Sequence, residues 1–153
     1  MRELSDVTTV GVVGAGTMGN GIAQVAATAG YDVVMRDIER EYVDRGLANI
    51  DSSLDRLAAK DALTAEPTAI RERITGTTEL GDLAAADVVV EAAVEEMAVK
   101  RDVFADLDAI TDDDVVLATN TSTLSVTEIA SATDRAAAVV GLHFMNPVPV
   151  MEG

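Results

Sequence analysis

The chain contains no cysteine, which excludes disulfides, thiolate zinc sites and cysteine nucleophiles together. Positive charge is scarce: 11 Lys and Arg stand against 27 Asp and Glu, leaving a formal net charge of −16. A surface of that sign does not track a phosphate backbone, so nucleic-acid binding is excluded. No stretch reaches the roughly 18 unbroken apolar residues of a membrane-spanning helix. The first residues, Met1-Arg2-Glu3-Leu4-Ser5-Asp6, carry acids where a secretion signal would be basic and then apolar. A cytoplasmic protein with no membrane partner is expected. What is present is one domain's worth of chain, 1–153, with 48% hydrophobic and 25% charged residues. That is enough for a real core and too apolar for a disordered tail.

Lysine is rarer still, with only Lys60 and Lys100 among the basic residues. Net charge this far from zero keeps a protein soluble but strains its folded state by self-repulsion. Molar salt shortens the screening length to roughly 3 Å and relieves that strain. A halophilic setting, a salt-rich cytoplasm, is therefore expected.

Along the chain, 7–13 reads as a strand buried on both faces. Glycines follow, and 18–29 reads as an alanine-rich helix stopped by Gly30. A second buried strand covers 31–35. From 39 to about 62, Val43, Leu47, Ile50, Leu54 and Leu57 recur at three- and four-residue steps, predicting one long amphipathic helix. Pro67 opens a shorter helix. Strands are expected at 74–77, 87–91, 115–118 and 138–142, with helices at 97–110 and 126–131. Strands alternating with helices predict a doubly wound α/β fold around a mostly parallel sheet, with a long helical insertion after the second strand.

Gly14-Ala15-Gly16-Thr17-Met18-Gly19 fits G-x-G-x-x-G. It follows a predicted strand, opens a predicted helix, and an acid, Asp37, closes the next strand eighteen residues beyond Gly19. The three glycines then have separate roles, Gly14 in the tight turn, Gly16 in the close approach of a pyrophosphate and Gly19 in helix–strand packing. Ala15, Thr17 and Met18 complete the turn, whose helix N-terminus offers unpaired N–H groups to phosphate. Asp37 would accept hydrogen bonds from ribose hydroxyls and repel a 2′-phosphate, so the expected cofactor is NAD rather than NADP. Arg36 precedes it, but strand alternation points neighbouring side chains to opposite faces.

The only histidine, His143, follows the last predicted strand, where such sheets deliver residues to the ligand crevice. An imidazole titrates near neutral pH and can take a hydroxyl proton, as hydride transfer from an alcohol requires.

The stretch Gly141-Leu142-His143-Phe144-Met145-Asn146-Pro147 resembles the signature of the 3-hydroxyacyl-CoA dehydrogenase family. So do Gly19-Asn20-Gly21-Ile22-Ala23-Gln24, the run from Asp87 to Lys100, and Asn120-Thr121-Ser122-Thr123-Leu124. The resemblance implies interconversion of 3-hydroxyacyl-CoA and 3-oxoacyl-CoA, in fatty-acid β-oxidation or 3-hydroxybutyryl-CoA metabolism. It implies His143 as the catalytic base and Ser122 as the group bonding the reacting oxygen beside the nicotinamide. Glu95, Lys100, Ser122 and Asn146 match cofactor-contacting positions, whereas Ser53 and Lys60 match residues holding coenzyme A. The alternative for Glu95 and Lys100 is a solvated pair at a helix start, and for Ser53 and Lys60 an ordinary polar helix face. No metal is implied. Thr123 and Met145 depart from the family's usual serine and phenylalanine.

Family members carry a carboxylate partner for the histidine at a position just past Gly153, and then a helical domain that is absent from this sequence. The chain therefore resembles the cofactor-binding half of an enzyme. A longer protein cut short, a gene beside that of a separate helical partner chain, and a decayed copy all stay open. So does a non-catalytic NAD-binding module or accessory subunit, although such a binder needs neither His143 nor Ser122.

Overall fold

The computed structural model describes residues 6–92, 96–119, 129–134 and 139–141. Among these residues, six parallel strands form one sheet in the order β3-β2-β1-β4-β5-β6. They are β1 (Thr9–Val13), β2 (Asp32–Arg36), β3 (Ile74–Thr77), β4 (Val88–Glu91), β5 (Val116–Thr119) and β6 (Val139–Gly141). Strand order runs outward from β1 in both directions. The chain therefore reverses its winding between β1 and β4, and open α/β sheets hold ligands at such a switch point.

The strands are Val-rich because both faces are covered. Alternation along β1 sends Val10 and Val12 into one core and Val13 into the other. In β4, Val90 joins the first core and Val89 the second. The first core is closed by helices α1 (Thr17–Thr28) and α2 (Arg40–Ala59), whose Ile22, Ala23, Val43, Ile50 and Leu54 are buried. A short α3 (Pro67–Glu72) begins at its proline, which needs no N–H there. The second core is closed by α4 (Met97–Ile110) through Phe104 and Leu107.

The expected strands and helices are present within the described residues, with boundaries shifted by a residue or two. Two differences have physical causes. The long helix ends at Ala59, because Asp61 adopts φ 55° and the Ala62 N–H bonds back to the Leu57 carbonyl. A 3₁₀ turn at Leu80–Leu83, too short to show a period, precedes β4. Of the helix expected at 126–131, residues 129–131 are described, with helix at 129–130. Gly30, at φ 107°, ends α1 as anticipated, with its N–H bonded to the Ala27 carbonyl.

Candidate functional site

The Gly-rich turn sits at the carboxyl end of β1, in the middle of the sheet. Gly14 has φ 110°, a conformation a side chain rarely tolerates, and its N–H donates to the Arg36 carbonyl at 2.7 Å. A Cβ on Gly19 would lie 1.9 Å from the Gly14 carbonyl oxygen. Only glycine lets α1 approach β1 this closely. Gly16, the N-cap of α1, is different: a Cβ there would meet nothing within 4 Å. The helix start has no side-chain cap and no acid in its first turn, so its N–H groups and positive dipole end are left for an anion.

Asp37 lies just past β2. Its Oδ2 accepts from the Ala15 N–H at 2.9 Å and its Oδ1 from the Ile38 N–H at 2.7 Å. The carboxylate is thereby fixed beside the turn, with lone pairs left for a hydroxyl donor. A cleft of about 610 Å³ opens here, bordered by Gly14, Gly16, Asp37 and Ala92. Ile38, Tyr42 and Val99, the large apolar side chains with marked exposure among the described residues, also line it. Exposed apolar surface gathered in one groove marks a ligand surface. An anion cradle, an acceptor pair and an apolar wall in that order fit the pyrophosphate, ribose and adenine of NAD.

Strand alternation gave Arg36 the opposite face from Asp37, yet Arg36 borders the same cleft. It is the last residue of β2, and the pleat no longer constrains the turn that follows. Its Nε donates to the Thr78 carbonyl at 3.1 Å, which holds the guanidinium along the sheet edge.

Lys100 is neither solvated nor at the surface. Its ammonium donates to both oxygens of Glu91, at 2.7 and 2.8 Å, and both side chains are wholly buried. The Thr119 hydroxyl donates to Glu91 Oε1 at 2.7 Å. On α2, Ser53 is half-buried and accepts from Gln24 Nε2 at 2.9 Å, while Lys60 is exposed at the helix C-cap. Seven residues apart, the two share one helix face.

His143, Ser122, Glu95 and Asn146 lie outside the described residues. Thr119 and Gly141, which end β5 and β6, are register partners. Ser122 and His143 thus follow, by three and two residues, from neighbouring points on the carboxyl edge.

Sequence reasoning missed Gly46. A Cβ there would stand 2.6 Å from the Ala15 carbonyl, so α2 closes directly on the back of the Gly-rich turn. Nothing local marks it, as glycine inside a helix is otherwise only a weakness. The role of Glu91 was also missed, and its one signal was an acid at the end of an otherwise apolar strand.

A family model described as 3-hydroxyacyl-CoA dehydrogenase, NAD binding domain, matches residues 9–152. A probable 3-hydroxybutyryl-CoA dehydrogenase of Deinococcus radiodurans is 49% identical over 142 residues, covering 93% of this chain and 51% of that protein. A 3-hydroxyadipyl-CoA dehydrogenase of Escherichia coli is 44% identical, over 96% of this chain and 31% of its own. The crystal structure of (S)-3-hydroxybutyryl-CoA dehydrogenase from Ralstonia eutropha superposes with a TM-score of 0.91 at 48% identity, over 95% of this chain and 52% of that one. The chain thus spans about half the length of the curated 3-hydroxybutyryl-CoA dehydrogenases it matches. It belongs to the 3-hydroxyacyl-CoA dehydrogenase family, as the NAD-binding domain.

Proposed function

We propose that this domain binds NAD across the carboxyl edge of its sheet and serves the interconversion of 3-hydroxyacyl-CoA and 3-oxoacyl-CoA. The observation that carries the reading is the uncapped Gly16 turn beside the fixed Asp37 carboxylate, both opening on the apolar cleft. Gly14 to Gly19 receive the pyrophosphate and Asp37 the adenosine ribose, with Glu95 and Lys100 also contacting the cofactor and Ser122 and Asn146 beside the nicotinamide. When bound, NAD supplies a hydride acceptor. His143 takes the proton of the C3 hydroxyl and returns it in the reverse direction. Ser122 holds the reacting oxygen, while Ser53 and Lys60, toward the C-terminal end of α2, hold coenzyme A. A helical second half, in the same chain or a separate one, closes the site, and the setting is a salt-rich cytoplasm.

NADH oxidation driven by acetoacetyl-CoA tests this reading. Turnover by these 153 residues alone is expected to be negligible, and to rise when the second half of the Deinococcus relative is supplied. In that joined enzyme, His143→Ala is expected to lower the rate by roughly 10²–10⁴. Activity indifferent to His143 would leave only a nucleotide-binding module.

Two further outcomes are expected. Fluorescence titration gives tighter binding of NADH than NADPH, and Asp37→Ala weakens NADH by roughly tenfold to a hundredfold, the worth of a hydrogen bond to a charged group. Equal affinities for the two cofactors would count against Asp37 as the ribose acceptor. The melting temperature rises from low to molar salt, as screening relieves the repulsion of a −16 chain; a flat profile would remove the saline setting.

A further inference from the structure

We infer that Gln24 is a positioning residue for coenzyme A, acting through the Ser53 hydroxyl that its side-chain amide holds. Gln24 lies on α1 and is only 2% exposed, while Ser53, on α2, is half-buried. Gln24 Nε2 donates to Ser53 Oγ at 2.9 Å. A hydroxyl has one proton to give, and here the amide occupies one of its lone pairs without using that proton. Hydroxyls on helices often return the proton to the carbonyl four residues back. Thr28 does so to Gln24 and Thr111 to Leu107. Among the described residues no acceptor takes the proton of Ser53. It is therefore offered away from the contact between α1 and α2, to an acceptor arriving from outside. Coenzyme A brings such acceptors in its phosphate oxygens and amide carbonyls.

The amide also has a cost. Gln24 Oε1 is buried with no hydrogen-bond partner among the described residues. An unpaired buried acceptor weakens a fold, and an apolar side chain of similar length would avoid the loss. Stability is thus a poor reason for an amide at this place. What Gln24 contributes is direction: a donor fixed inside the core holds Ser53 Oγ in one setting, its proton already turned toward the ligand.

This rests on the reading that Ser53 holds coenzyme A, and Ser53→Ala tests that first. Coenzyme A is titrated calorimetrically into the chain, with NADH saturating so that the dinucleotide cleft is filled. Ser53→Ala is expected to bind it about tenfold more weakly. Parental affinity in that variant, or no binding by the unaltered chain, sinks the reading itself and the inference with it. Gln24→Met is expected to weaken coenzyme A by about threefold to fivefold. It should nevertheless melt at or above the parent temperature and bind NADH as the parent does. A merely structural amide would leave coenzyme A untouched or weaken both ligands alike, and either result overturns the proposal. The double variant Gln24→Met/Ser53→Ala separates positioning from direct contact. With no hydroxyl left to position, it is expected to bind coenzyme A no more weakly than Ser53→Ala alone. A further loss of about threefold would mean that the amide itself touches the ligand, and overturns the proposal equally. Should Gln24→Met melt far below the parent, Gln24→Leu takes its place in both comparisons.

Discussion

Replacing Gly19 with alanine is expected to abolish NADH binding and to lower stability by about 3 kcal/mol or more, the upper end of the cost of overpacking. The added methyl would stand 1.9 Å from the Gly14 carbonyl oxygen and 2.6 Å from its carbon. Both are backbone atoms, so no side chain can swing aside. Gly14 is pinned in turn by its positive φ and its bond to Arg36. The start of α1 has to withdraw from β1, and the N–H groups that face the pyrophosphate go with it. For a domain of this size the melting temperature should fall by about 6–12 °C. Gly16→Ala provides the contrast. Its methyl meets no protein atom within 4 Å, and φ −70° suits alanine. The fold should lose only about 1 kcal/mol, the cost of a poorer N-cap residue. The methyl projects into the space reserved for phosphate, however, so NADH binding is lost from a nearly intact protein. One variant removes binding with stability, the other binding without it. Unimpaired NADH affinity in Gly16→Ala would show that the phosphates lie elsewhere.

The parts of this site that were legible in the sequence are those written in local chemistry. Gly14 and Gly19 follow from a turn between a buried strand and a helix, and Asp37 from the end of the next strand. The strands themselves were readable because a sheet covered on both faces needs apolar residues at every position, and β1, β2 and β4 supply Val-rich runs. The long helix α2 was readable from its buried stripe of Val43, Leu47, Ile50 and Leu54.

What escaped depends on which elements meet. The demand on Gly46 comes from the Ala15 carbonyl and Met35 packed against it, on segments far away in sequence. Arg36 enters the cleft because β2 ends there, and a strand's alternation stops where its pairing stops. Lys100 could be placed by motif resemblance but not understood by it. Its partner Glu91 lies nine residues earlier, across a strand–helix junction, and neither helical nor strand periodicity links the two.

The Lys100–Glu91 pair also sets the second large expectation, which concerns stability alone. Lys100→Met takes away the ammonium that donates to both oxygens of the enclosed Glu91 carboxylate. Removing one partner of a buried pair in this way costs about 3–5 kcal/mol, a large part of the roughly 5–15 kcal/mol by which a domain of this kind is typically stable. The melting temperature should then drop by about 6–20 °C. Glu91→Met should cost as much, because it strands the ammonium. Combining the two should recover most of the loss rather than double it, so a double-mutant cycle in chemical denaturation gives a coupling energy of several kcal/mol. The size of that coupling decides the matter. Two charges that merely sat near each other in solvent would give additive losses well under about 1 kcal/mol, and such additivity would mean that water reaches this pair. Strong coupling would mean instead that the end of β4, the first turn of α4 and the end of β5 are held as one dry unit behind the cleft.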